Sequence, residues 1–129
     1  MAGRDVADFV DAGRTLLSLG LVNGSEGNLS VFDGMELVIT VTGSELGRLT
    51  DADLVVGSLD SDPARSSSDL ERHVALYRAN GPGAVAHAHP SGTVPDGWVE
   101  GQEHGVYAFA PTLAEAVGRI VRDARKRAG

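Results

Sequence analysis

Gly83-Ala84-Val85-Ala86-His87-Ala88-His89-Pro90-Ser91-Gly92 is the stretch on which the reading of the fold turns. Residues 83–89 are small and apolar enough for a strand buried inside a sheet, and Pro90-Ser91-Gly92 ends it. Side chains at i and i+2 of a strand project from one face, so His87 and His89 present two imidazoles together. That is a ready pair of metal ligands, and the run of small residues before it leaves room for an ion beside the strand. Spacing alone leaves a structural and a ligating role both open.

Working outward, Ser68-x-x-Glu71 forms a capping box ahead of Leu70, His73, Val74 and Tyr77, which predicts a helix from near Asp69 to Gly81. The hydroxyls of Ser67 and Ser68 sit at its mouth, after a loop at Asp62-Pro63-Ala64-Arg65-Ser66. Further upstream, two apolar runs flank Asp33-Gly34, a dipeptide suited to a tight hairpin, and predict paired strands over 28–32 and 36–42. A third short strand is expected between Asp53 and Asp60, entered through a Thr50-x-x-Asp53 turn. Val6, Phe9, Val10, Gly13, Leu16 and Leu17 make one apolar helical face over 5–19, with Gly20 as its stop.

Downstream, residues 97–110 hold one or two more strands, and Thr112-x-x-Glu115 caps a last helix. Leu113, Ala116, Val117, Ile120 and Ala124 form its buried stripe. The order predicts an α/β chain with a mainly antiparallel central sheet flanked by helices. No repeat, low-complexity tract or linker interrupts it, so residues 1–129 read as a single domain.

A chain of 129 residues buries about two thirds of its unfolded surface, enough for a real core. It has no cysteine, which excludes disulfides and thiolate ligands, so any metal must use histidines and carboxylates. The net charge of −7 argues against nucleic acid as a partner. The basic cluster from Arg119 to Arg127 falls at the end of the last helix, where cations complement the helix dipole. No signal-peptide stretch opens the sequence, and no apolar run nears the ~18 residues of a membrane span. The expectation is a cytoplasmic protein without a membrane partner.

A catalytic zinc site needs a third protein ligand and an open position. His73 and His104 are the remaining imidazoles. His73 lies among apolar helix neighbours, which suits a core or capping role, whereas His104 precedes Gly105 at a strand bend. The fourteen residues between His89 and His104 could extend about 46 Å, so reach allows convergence.

The sequence resembles the class II aldolase/adducin family, which includes fuculose-phosphate aldolases and ribulose-phosphate 4-epimerases. The resemblance is carried by Gly27-Asn28-Leu29-Ser30-Val31, Ile39-Thr40-Val41-Thr42-Gly43, Leu49-Thr50, Ser67-Ser68-Asp69 with His73 and Tyr77, Ala84 to His89, and Glu103-His104-Gly105. It implies a class II aldolase-like three-layer fold, here shortened. It implies that His87, His89 and His104 bind zinc, or a similar ion such as manganese or cobalt. It also implies a catalytic carboxylate at Asp69, where the aldolases usually carry Glu and the epimerases Asp.

The family pattern further implies a phosphate pocket from Ser25, Asn28, Thr42, Gly43, Ser67 and Ser68. Glycine-rich turns and a helix start bearing two hydroxyls do present donors to an anion. Read without the family, Gly24 and Gly27 make a turn, Asn28 and Ser68 are caps, and Asp69 is a first-turn acid.

The resemblance thus implies a metal-dependent lyase, acting on a small, phosphorylated hydroxy-carbonyl compound through a zinc-stabilised enediolate. A 4-epimerase, dehydratase or decarboxylase is the alternative of the same kind, and a non-catalytic adducin-like binding module the alternative of another kind. A homo-oligomer, a tetramer in the family, is expected. Relatives carry several tens more residues between the second and third histidine and a further tail, regions that supply subunit contacts and tyrosines. Tyr77 and Tyr107 occupy other positions and do not replace those tyrosines.

Overall fold

The computed structural model describes residues 6–22, 27–60, 70–88 and 106–128. The expectations for the loop at 62–66 and for strand structure over 97–105 lie outside them.

The described residues form three α-helices, α1 (Val6–Ser18), α2 (Leu70–Asn80) and α3 (Leu113–Ala128), and five strands. The strands are β1 (Asn28–Phe32), β2 (Leu37–Thr40), β3 (Leu54–Gly57), β4 (Gly83–Ala88) and β5 (Val106–Ala110). They make one sheet in the order β3-β2-β1-β4-β5. Every neighbouring pair is antiparallel. The α/β class with an antiparallel sheet and flanking helices is therefore as the sequence predicted.

Alternation along the strands divides the side chains between two cores. Leu29, Val38, Ala84, Ala86, Ala88 and Ala110 turn to one face, against Phe9 and Leu16 of α1 and Leu113, Ala116, Val117 and Ile120 of α3. Phe32, Leu37 and Val85 turn to the other, where Tyr77 of α2 completes a smaller cluster flanked by Tyr107 and Phe109. Two helices, a sheet and one helix thus form three layers.

The alanines of β4 have a different job from the one the sequence suggested. Ala84, Ala86 and Ala88 belong to the core with α1 and α3, so their small size serves close helix packing. His87 is on the opposite face of the strand by alternation. Room beside the imidazole is therefore not what these residues provide.

The hairpin also differs in detail. The strand pairing ends at Phe32 opposite Leu37, so the loop holds four residues, one more than the predicted strand bounds leave. Asp33 closes it: Oδ1 accepts from the N–H groups of Met35 at 2.8 Å and Glu36 at 2.7 Å. Those bonds, Glu36 first, hold the Asp33 carboxyl below its ordinary value of 3.8. The strand expected over 36–42 is shorter, Leu37–Thr40, with Val41 continuing the pairing toward β3 by one bond, its N–H donating to the Asp53 carbonyl at 2.7 Å. Asp53 itself sits in a 3-10 turn, Asp51–Asp53, capped by Thr50, whose N–H donates to Asp53 Oδ2 at 2.8 Å.

Leu17, placed on the apolar face of α1 by periodicity, is 43% exposed, and Ala124 is only half-buried. At the ends of an amphipathic stripe, helical spacing overstates the width of the covered face. Thr112 caps α3 as expected, its Oγ1 accepting from the Glu115 N–H at 3.2 Å.

Candidate functional site

Four chain segments converge at one end of the sheet, and the register shows how. Asn28, the first residue of β1, pairs with His87 near the end of β4. Ala88, the last residue of β4, pairs with Val106, the first of β5. β2 leaves the sheet at the same end, leading into Thr42 and Gly43, the latter at φ +80°. The Leu29 N–H donates to Thr40 Oγ1 at 3.3 Å, tying the start of β1 to the end of β2.

Gly27 makes this approach possible. It sits at φ +81°, and a Cβ there would lie 2.6 Å from the His87 carbonyl oxygen. A side chain would push the start of β1 away from the histidine-bearing strand.

α2 crosses the same end with its first turn toward Asn28. His73 and Tyr77, at i and i+4, share a helix face, while Asn28 and Ser30, at i and i+2, share a strand face. The two pairs interlock in a buried polar chain. His73 Nε2 is hydrogen-bonded to Asn28 Oδ1, His73 Nδ1 lies 2.6 Å from Ser30 Oγ, and Ser30 Oγ lies 2.7 Å from the Tyr77 hydroxyl. All four side chains are buried.

The chain has one consistent direction. An amide oxygen can only accept, so Nε2 carries the proton and donates to Asn28. In a neutral imidazole Nδ1 then accepts, which makes Ser30 the donor to His73 and Tyr77 the donor to Ser30. Burial pushes the Tyr77 hydroxyl well above its ordinary 10.0, outweighing the opposing pulls of Ser30 and the Val85 backbone, so Tyr77 keeps its proton.

Beside this chain stands an aromatic set. The His87 imidazole is buried and stacks on Tyr107, with centroids 3.9 Å apart and planes within 6°. His73 meets Tyr107 edge-on at 6.0 Å, and the Arg72 guanidinium carbon lies 5.7 Å from the Tyr107 ring centre. The stack on Tyr107 thus helps to hold the plane of His87.

Of the residues singled out from sequence, Asn28, Thr42, Gly43 and His87 are described, and they lie at this one end of the sheet. Ser25, Ser67, Ser68, Asp69, His89 and His104 lie outside the described residues. Among the described residues no three His, Cys, Asp or Glu side chains form a group that could hold a metal ion. No helix among them is long and apolar enough to cross a membrane.

Sequence reading missed the polar chain. It gave His73 a core or capping role, of which its burial fits the first, but named no partner for it, and it gave Ser30 no role of its own. The available signal was two periodicities meeting: polar residues at i and i+2 on a strand, and at i and i+4 on a helix.

Comparison with known proteins agrees with the geometry. Residues 7–95 match the family described as Class II Aldolase and Adducin N-terminal domain. The chain is 37% identical over 95 residues to a probable bifunctional methylthioribose-1-phosphate isomerase/methylthioribulose-1-phosphate dehydratase of Nocardia farcinica, covering 69% of this chain and 17% of that protein. It is 34% identical over 88 residues to an L-fuculose phosphate aldolase of Methanococcus maripaludis, covering 66% of this chain. The matched segment spans about half, 49%, of that aldolase. Among solved structures, the L-fuculose-1-phosphate aldolase of Thermus thermophilus superimposes with a TM-score of 0.77 at 25% identity, covering 93% of this chain and 89% of that one.

Proposed function

The chain belongs to the class II aldolase and adducin family, and from that premise we propose that it is a metal-dependent aldehyde-lyase acting on a small phosphorylated hydroxy-carbonyl compound. The observation that carries the proposal is the pairing of Ala88 with Val106. His89 follows Ala88 directly, and His104 precedes Val106 by two residues. Two residues of chain span at most about 7 Å. Chain connectivity thus permits His89 and His104 to share an ion with His87, which is what the proposal requires.

Three imidazoles suit zinc, and equally cobalt or manganese. His87, His89 and His104 would hold the metal, which when bound supplies Lewis-acid polarisation of a substrate carbonyl. His87 supports this role through its fixed plane: a ligand whose ring is already oriented loses little freedom on binding.

The chain's own residues do the rest. Asp69 immediately precedes Leu70, the first residue of α2, whose first turn lies at the Asn28 end of β1. Its carboxylate is the proton-transfer group in this reading. Ser25, Asn28, Thr42, Gly43, Ser67 and Ser68 bind the substrate phosphate through backbone and side-chain donors, with no Lys or Arg among them. Residues 1–129 act as one cytoplasmic domain that assembles with copies of itself.

A second reading, a dehydratase on the same scaffold, is favoured by the 37% identity to the Nocardia farcinica protein. One experiment separates the two. The zinc-loaded protein is given a ketose 1-phosphate panel that includes fuculose 1-phosphate and methylthioribulose 1-phosphate. Retro-aldol cleavage releases dihydroxyacetone phosphate, whereas dehydration leaves the carbon skeleton whole. A protein that binds zinc yet yields neither product across the panel contradicts both.

A further inference from the structure

We propose that Arg72 is a specificity-determining residue, which receives a carboxylate at the end of the substrate remote from its phosphate. The inference rests on the reading of His87 as a metal ligand and of Asn28, Thr42 and Gly43 as part of the phosphate pocket.

The sheet sets out the site as a row. Asn28 of β1 lies opposite His87 of β4, and His87 lies opposite Tyr107 of β5. Residues directly opposite one another across antiparallel strands share a face of the sheet. The three side chains thus stand in line on the face where α2 lies, since His73 bonds to Asn28 and meets Tyr107 edge-on. Two strand spacings, about 10 Å, separate the ends of the row. Thr42 and Gly43 follow β2, the strand beyond β1, so the proposed phosphate pocket is at one end and His87 in the middle. A substrate with its phosphate by Asn28 and its carbonyl on a metal held by His87 therefore runs on toward Tyr107.

At that far end stands a cation. The Arg72 guanidinium carbon lies 5.7 Å from the Tyr107 ring centre, inside the range of cation–π attraction. The same ring stacks on His87 at 3.9 Å, which keeps the charge within about a Debye length, roughly 10 Å in dilute salt, of that imidazole. Arg72 is exposed, and among the described residues it belongs to no ion pair. Arg78, farther along the same helix, is by contrast engaged by Asp60 at 2.8 Å.

An arginine held against a ring keeps the N–H donors at the edge of its guanidinium plane for another partner. Two parallel N–H groups match the two oxygens of a carboxylate, and such charge-assisted pairs are stronger than neutral ones. Tyr107 contributes order: a guanidinium already resting on an aromatic ring loses less freedom on binding than one free in solvent.

The test uses a matched pair of ligands. 5-Phosphoarabinonate and arabinitol 5-phosphate are alike except that the end remote from the phosphate is a carboxylate in the first and a CH2OH group in the second. Both are titrated by calorimetry into the zinc-loaded full chain of wild type, Arg72→Gln and Arg72→Lys. Arg72 is exposed, so neither substitution reaches the core. Competition by inorganic phosphate reports the pocket independently of the far end.

We expect wild type to bind 5-phosphoarabinonate roughly 10-fold more tightly than arabinitol 5-phosphate. Arg72→Gln should bind the two equally, with the affinity for the alcohol unchanged, and Arg72→Lys should keep part of the preference. A full preference surviving in Arg72→Gln belongs to the metal and overturns the inference. No preference in wild type, with both ligands displaced by inorganic phosphate, also overturns it while leaving the pocket standing. An equal loss of both ligands in Arg72→Gln assigns the guanidinium to the phosphate instead and overturns the far-end role. Absence of binding by either ligand in protein that holds zinc removes the phosphate pocket and this inference with it.

Discussion

The His87 imidazole lies flat on the Tyr107 ring, their centroids 3.9 Å apart and their planes within 6°. Because β5 begins at Val106, Tyr107 is held by sheet pairing opposite His87 itself. A strand partner therefore fixes the plane of an imidazole proposed to bind metal.

Replacing that partner should loosen the imidazole without removing it. Tyr107→Ala is expected to weaken zinc binding by roughly 10-fold, in line with other groups that orient a metal ligand. Tyr107→Phe keeps the stacking face and should bind as wild type. Competition with a chelating dye measures both, and equal affinity in all three proteins would mean that the stack has no part in metal binding.

Helix α1 carries a substitution whose sign reverses the usual rule. Glycine to alanine inside a helix ordinarily stabilises by about 0.5–1 kcal/mol. At Gly13 an added Cβ would sit 1.8 Å from the Leu46 carbonyl oxygen, a backbone atom that cannot rotate away. Gly13→Ala should instead destabilise by about 1–3 kcal/mol through overpacking. Urea unfolding midpoints decide, and an increase in stability would contradict the packing of α1 on Leu46.

Tyr77 anchors the buried chain, so Tyr77→Phe removes the donor to Ser30 and should cost about 1–3 kcal/mol at neutral pH. A pH dependence follows from burial. The folded hydroxyl is pushed above the ordinary 10.0, so its contribution is complete below pH 10.0 and is lost as pH rises beyond that toward the folded value. Wild type should therefore lose stability above pH 10 more steeply than Tyr77→Phe. Parallel alkaline profiles would show that the buried hydroxyl is not held protonated.

Much of this was legible in the residues because local rules and packing agree. The capping box at Thr112 and the periodic stripes of α1 and α3 fix helices whose buried faces are Phe9, Leu16, Leu113 and Ile120. The i, i+2 spacing of His87 and His89 marks β4 from the residues alone. The pairing itself was not legible: nothing local to Asn28 announces that it will lie opposite His87, since register follows from the whole sheet. The polar chain from Tyr77 to Asn28 depends on that same register and on the docking of α2, so it too emerges only in three dimensions. The alanines of β4 misled because strand alternation sends them to the face away from His87.

Asp69 is expected to move the proton in catalysis. Asp69→Asn keeps the size and removes the base, and should lower turnover by roughly 10²-fold or more with zinc content unchanged. Full turnover in that variant would exclude Asp69 as the proton-transfer group.

Metal analysis of the purified protein bears most directly on the central claim. Wild type should carry about one zinc or similar ion per chain, and His87→Ala, His89→Ala and His104→Ala should each lose most of it, since three imidazoles complete the set of protein ligands. Undiminished metal in all three variants, or a wild-type protein that takes up none when zinc is supplied, would contradict it.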